Sequence, residues 1–220
     1  MTSMTDRVRQ LKAILPPHVE LAAAAKTRRP EEVQTVIDAG IHIIGHNYVQ
    51  EAQAMIEHLG RDAASWTMIG HLQRNKVKMA VQLFDSIQTV DSLRLAETID
   101  RESGKISRIM PILIEINADQ EAQKAGVLPE DAEDLIRAIS QLKSIRVDGL
   151  MTMGAFTSIP EDLRPTFRDT KILFDRLAQS NIPGVSMAVL SMGMSASYTI
   201  AIDEGATMIR LGTALFGPRA

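Results

Sequence analysis

The sequence predicts an eightfold (β/α) barrel. Short apolar runs alternate with longer amphipathic segments from one end of the chain to the other, the pattern of βα units rather than of a sandwich or bundle. Most of the runs are continuously apolar, as parallel strands covered on both faces require. Eight such units in 220 residues lie near the lower size of the fold, roughly 200 residues. An open doubly wound sheet is the competing architecture, yet nothing after Ile43 resembles the glycine fingerprint of dinucleotide binders.

The first segment, MTSMTDRVRQLKAILPP, is charged and carries helical spacing at Val8, Leu11, Ile14 and Leu15, without the unbroken apolar stretch of a signal peptide. Strands are then expected over 19–25, 41–45, 66–69, 86–90, 109–116, 147–151, 186–190 and 207–210. Helices over 30–39, 129–142 and 160–180 each open on a proline, which the first turn tolerates because its N–H has no partner there. Ala196–Glu204 has helical character as well, and Gly40 and Gly205 stand where helix stops are needed.

At 45% hydrophobic, the chain can build one substantial core, so residues 1–220 are expected to form a single domain. It shows no linker, low-complexity tract or repeat beyond the βα rhythm, and it ends soon after the eighth strand, so no second domain is expected over the barrel. A net charge of −3 with acidic and basic residues interspersed gives no broad basic face for nucleic acid. Without cysteine, disulfides, thiolate metal sites and thiol nucleophiles are excluded. No run reaches the ~20 apolar residues that span a bilayer. A cytoplasmic protein that binds neither membrane nor nucleic acid is expected, and a monomer, since no dimerisation element is visible.

The unusual residues collect just past the expected strand ends: Lys26 and Thr27; His46 and Asn47; Gly70, His71 and Gln73; Met153 and Gly154; Ser191, Gly193 and Ser195; Arg210, Gly212 and Thr213. In (β/α) barrels that face carries the active site. Lys26 closes the small-residue run LAAAA, which leaves room for a planar ring beside it, and a lysine partly withdrawn from water is a Schiff-base former; the plain alternative is a lysine marking the strand rim.

Ser191 and Ser195 frame Met-Gly-Met before a helical segment, where backbone N–H groups and hydroxyls suit a phosphate. Ser195 could equally be an ordinary helix cap. The next strand ends in a second such cluster, Arg210, Gly212 and Thr213, and barrel phosphate sites are frequently built from the loops after strands seven and eight. Arg210 either faces that pocket or pairs with Asp203 or Glu204. As a donor only, an arginine facing a pyridine nitrogen keeps it unprotonated and weakens the ring as an electron sink.

His18, His42 and His58 read as structural or solvated, and no metal-binding spacing occurs, so neither a metal site nor a zinc ligand set is expected. His46 and His71 fall on the functional face, where each could simply satisfy a strand-end carbonyl. Met151, Met153, Met192 and Met194 suit either core packing or the wall of an aromatic cofactor.

AAAAKT around Lys26, IGHNYVQEA from Ile44, WTMIGHLQRNK from Trp66, GLMTMG from Gly149, LSMGMS and IRLGTALFG together resemble the pyridoxal phosphate homeostasis protein family, in the family's order across the whole chain. The resemblance implies a single (β/α)8 TIM barrel like the N-terminal barrel of alanine racemase (fold type III), without a C-terminal β domain. It implies pyridoxal 5′-phosphate held by Lys26, with Ser191, Ser195, Gly212 and Thr213 on the phosphate, Arg210 at the pyridine nitrogen and Asn47 lining the pocket. Two positions depart from the family pattern: His46 stands where glutamate is usual, and Thr67 where histidine commonly follows the tryptophan.

The expected function is cofactor binding for vitamin B6 homeostasis and amino and keto acid balance, with no residue assigned to catalysis. An amino acid racemase or lyase is the enzymatic alternative and needs a second base, for which His46 and His71 are the candidates. A Schiff-base aldolase acting on a phosphorylated sugar, and a barrel acting chiefly through a protein partner, are the remaining readings.

Overall fold

The computed structural model describes residues 2–121, 125–155 and 157–218. Eight strands, β1 Glu20–Ala24, β2 Ile43–His46, β3 Ser65–Met68, β4 Ser86–Val90, β5 Met110–Ile116, β6 Ile145–Thr152, β7 Val185–Ser191 and β8 Met208–Leu211, form a closed parallel barrel in chain order. Closure is made by β1 and β8, with Ala22 opposite Arg210 and Ala23 opposite Leu211. The helices form the outer layer: α1 Met4–Ile14, α2 Pro30–Asp38, α3 Val49–Leu59, α4 Val77–Leu83, α5 Leu93–Gly104, α6 Ala132–Ile139, α7 Arg164–Gln179, α8 Tyr198–Asp203 and α9 Thr213–Phe216. No described helix is long and apolar enough to cross a membrane.

The expected elements are present, with shifted ends. Helix 129–142 contracts to α6 because the Asp131 N–H turns back to Leu128 O and because Asp100 Oδ1 receives the Lys143 and Ser144 amides. Helix 160–180 begins as a short tight turn over Pro160–Leu163 before α7. Helix 196–204 starts later, at Tyr198, since Met194 O accepts both the Ser197 and Tyr198 amides and closes a turn first. Gly40 and Gly205 follow α2 and α8 with φ of +98° and +92°, which stops each helix as expected.

The core lies between barrel and helices, where Trp66, Phe84 and Phe167 are fully buried. Asp85, between α4 and β4, ties this layer together: it accepts the Trp66 amide at 2.8 Å, pairs with Arg61, and lies 3.2 Å from Arg108. Despite its burial, these donors and cations hold its carboxyl below the ordinary range. Inside the barrel the lining is partly polar, and that polar interior leads to the site.

Candidate functional site

Period-two geometry fixes which residues face the barrel interior. Arg210 on β8 and Ser191 on β7 meet there, so Ala22, in register with Arg210, also faces inward, and Ala24 and Lys26 continue that row to the C-terminal mouth. The methyl groups of Ala22 and Ala24 leave open the space that larger residues would fill. A cavity of about 510 Å3 opens at this point, lined by Ala24, Lys26, Asn47, Ile69, Met153, Met194, Ser195, Ala196, Arg210, Gly212 and Thr213. Six of the seven residues named for a cofactor site thus share one cavity.

Lys26 lies two residues past β1, half-buried, with Nζ 5.4 Å from the centroid of the Tyr48 ring. Asn47 is held by a close backbone approach. A Cβ at Gly70 would come within 2.6 Å of Asn47 Cα and closer still to its carbonyl oxygen, so glycine is required where the loops after β2 and β3 cross.

Ser195 does not cap the helix that follows it. Its hydroxyl reaches across to the next loop and accepts the amides of Gly212 at 3.2 Å and Ala214 at 3.1 Å, the free N–H groups at the start of α9. Ser195, Gly212 and the exposed Thr213 stand together at the cavity wall.

Arg210 and Ser191 sit deeper than expected, because β7 runs to Ser191 and β8 to Leu211. Ser191 is fully buried in the barrel interior and is absent from the cavity lining. Arg210 donates through Nη1 to Ser191 Oγ at 2.7 Å and through Nη2 to Thr152 O at 2.9 Å. The alternative pairing of Arg210 does not occur: Glu204 binds Arg164 at 2.8 Å and Arg168 at 3.1 Å, and Asp203 lies 3.7 Å from Arg164. Burial lowers the Arg210 guanidinium to about 10, while Glu115 on β5 counteracts the shift. Glu115 is itself pushed up to about 7 by burial and by Asp91, against the pull of Arg210.

The histidines separate. His46 ends β2, is 1% exposed and stacks on Trp66, with neither ring nitrogen hydrogen-bonded; burial lowers it to about 4. His71 is exposed and lines neighbouring clefts with Gln73. Neither candidate base lines the Lys26 cavity, where Lys26 and Arg210 are the titratable side chains among the described lining residues. His18, His42 and His58 are exposed. The methionines divide by position along the chain: Met151 and Met192, at the strand ends, are buried, whereas Met153 and Met194, two residues further on, form the cavity rim at 38% and 42% exposure.

Sequence reasoning missed Gln88 on β4, Glu115 and Tyr48. Glu115 was detectable as the lone polar residue in the apolar run ILIEI, and Gln88 as the polar centre of the strand SIQTV. Gln88 is 1% exposed and accepts the Ser191 hydroxyl at 2.8 Å.

Over residues 1–220 the chain matches the family described as alanine racemase, N-terminal domain. It is 38% identical over 200 residues to the pyridoxal phosphate homeostasis protein of Aquifex aeolicus, covering 91% of this chain and 87% of that one. Among solved structures it is similar to PipY of Synechococcus elongatus with pyridoxal phosphate bound, at TM-score 0.90 and 33% identity, covering 98% of this chain and all (100%) of that one. Alanine racemase of Clostridium difficile shares the fold at TM-score 0.82 and 15% identity, over 98% of this chain and 56% of that one.

Proposed function

Because the chain belongs to the pyridoxal phosphate homeostasis proteins, within the alanine racemase N-terminal domain family, we propose that it binds pyridoxal 5′-phosphate in the Lys26 cavity and serves vitamin B6 homeostasis and the balance of amino and keto acids. When bound, the cofactor supplies an aldehyde that combines reversibly with a primary amine. The observation that carries this reading is the meeting of Lys26, Ser195, Gly212, Thr213 and Arg210 around one cavity. The lining suits the group: amide and hydroxyl donors for phosphate oxygens, a primary amine for the aldehyde, a guanidinium donor for the ring nitrogen, and apolar Ile69, Met153 and Met194 for the ring.

In this reading Lys26 is the amine that holds the aldehyde carbon. Ser195, Gly212 and Thr213 hold phosphate, and Asn47 lines the ring side. Arg210 meets the ring nitrogen as a donor and so keeps it unprotonated. Ser191 acts one layer below, on Arg210. With His46 turned toward Trp66 and His71 off the cavity, no second base stands ready among the described lining residues. In this reading the protein holds its cofactor without turning over amino acids. It is, in the same reading, a cytoplasmic monomer.

The test is the visible spectrum of the purified protein before and after borohydride reduction, beside Lys26→Ala. The expected result is a yellow band that reduction abolishes and the substitution lacks. A colourless protein that takes up no added pyridoxal phosphate overturns the reading in favour of a cofactor-free aldolase, and robust alanine racemisation overturns the absence of turnover.

A further inference from the structure

The barrel interior below the cavity carries a directional chain of hydrogen bonds. Arg210 can only donate, so Ser191 Oγ accepts from its Nη1 at 2.7 Å. The Ser191 proton is then free to go on to Gln88 Oε1 at 2.8 Å. With its oxygen committed there, Gln88 turns Nε2 toward Thr67 Oγ1 at 3.2 Å and Met208 Sδ at 3.2 Å. Thr67 in turn meets Ser86 Oγ at 2.8 Å. Arg210, Ser191, Gln88 and Thr67 are each at most 4% exposed, so water does not compete for these groups, and each partner fixes the next.

Gln88 is the only member whose two ends differ in kind. Its oxygen faces Ser191 and its nitrogen faces Thr67, and an amide supplies both. A carboxylate lacks the donor, and an apolar side chain lacks both groups. Thr67, the departure from the family pattern, provides the acceptor at the far end.

We propose that Gln88 is a positioning residue: through Ser191 it sets the orientation of the Arg210 guanidinium at the cavity floor, and thereby the contact of Arg210 with the cofactor ring. The second half rests on the reading that the cavity takes pyridoxal phosphate; the first half is a property of the protein alone.

The test uses the full chain labelled with 15N. The Arg210 side-chain N–H signals, assigned by their loss in Arg210→Lys, are followed in wild type, Gln88→Met, Ser191→Ala and Thr67→Val, and pyridoxal phosphate affinity and the position of its visible band are measured alongside. In wild type the Arg210 Nη signals are resolved by restricted rotation. Gln88→Met and Ser191→Ala average them, shift the visible band, and weaken pyridoxal phosphate by about three- to tenfold, the loss of one hydrogen bond. Thr67→Val has the same effects in smaller measure.

A purely structural role would lower the unfolding temperature without changing the Arg210 signals or the band. That result in Gln88→Met, with affinity within about twofold of wild type, overturns the proposal. If Gln88→Met does not fold, Ser191→Ala and Thr67→Val decide by the same signals. If wild type takes up no pyridoxal phosphate, the functional reading fails, and the Arg210 signals alone decide whether Gln88 orients the guanidinium.

Discussion

His46 stacks on Trp66, with ring centroids 5.9 Å apart and planes 28° from parallel. The contact explains how a histidine can end a strand on the functional face and take no part in the cavity: its ring lies in the apolar layer, neutral and without a hydrogen bond.

Its titration opposes that of Glu115. His46 is lowered from 6.5 to about 4 by burial, so its contribution to stability is complete above pH 6.5 and is lost as pH falls toward 4. Glu115 is raised from 4.5 to about 7 by burial and Asp91, so its contribution is complete below pH 4.5 and is lost as pH rises through 7. Each amounts to about 3 kcal/mol, and the two nearly cancel over the shared window. Urea midpoints at pH 7, 5.5 and 4 check this. His46→Phe gains stability relative to wild type as pH falls, Glu115→Gln loses it, and parallel pH curves for all three proteins would show that these groups do not govern acid stability.

Removing the Ser195 hydroxyl leaves the Gly212 and Ala214 amides without their acceptor. Ser195→Ala is expected to lower stability by about 1 kcal/mol, as for a lost helix cap, and to weaken pyridoxal phosphate by about tenfold. Equilibrium dialysis and thermal unfolding measure the two effects. Unchanged affinity would remove Ser195 from the phosphate set.

Gly70→Ala is expected to cost about 3 kcal/mol or more, because the new methyl group would sit 2.6 Å from Asn47 Cα. Thermal unfolding reads the loss, and a cofactor titration reads the displacement of Asn47. A variant as stable as wild type would mean that the two loops part easily.

Much of this was legible in the sequence. The eight strands were visible because parallel strands buried on both faces are apolar throughout, and Lys26, Ser195, Gly212 and Thr213 because special residues after apolar runs mark the mouth of a barrel. The depth of Ser191 and Arg210 was not legible. A strand end is set by pairing with its neighbours, here Ser191 opposite Met151 and Arg210 opposite Ala22, and a one-residue difference separates a loop donor from an interior one. Gln88 and Glu115 were hidden for a related reason: one polar residue in a strand shows its direction only once register is known. The Ser195 contact joins residues 17 and 19 apart through two loops, which local capping rules do not reach.

That contact also bears on how readily the cavity can empty. The Gly212 amide at the cavity wall is engaged by Ser195 in the protein by itself, so in the proposed site an arriving oxyanion would take over an existing arrangement and its departure would restore it. Affinity at this wall is the difference between two satisfied states, and neither state leaves a bare dipole behind. A receptor built this way would tolerate frequent handover of its cargo.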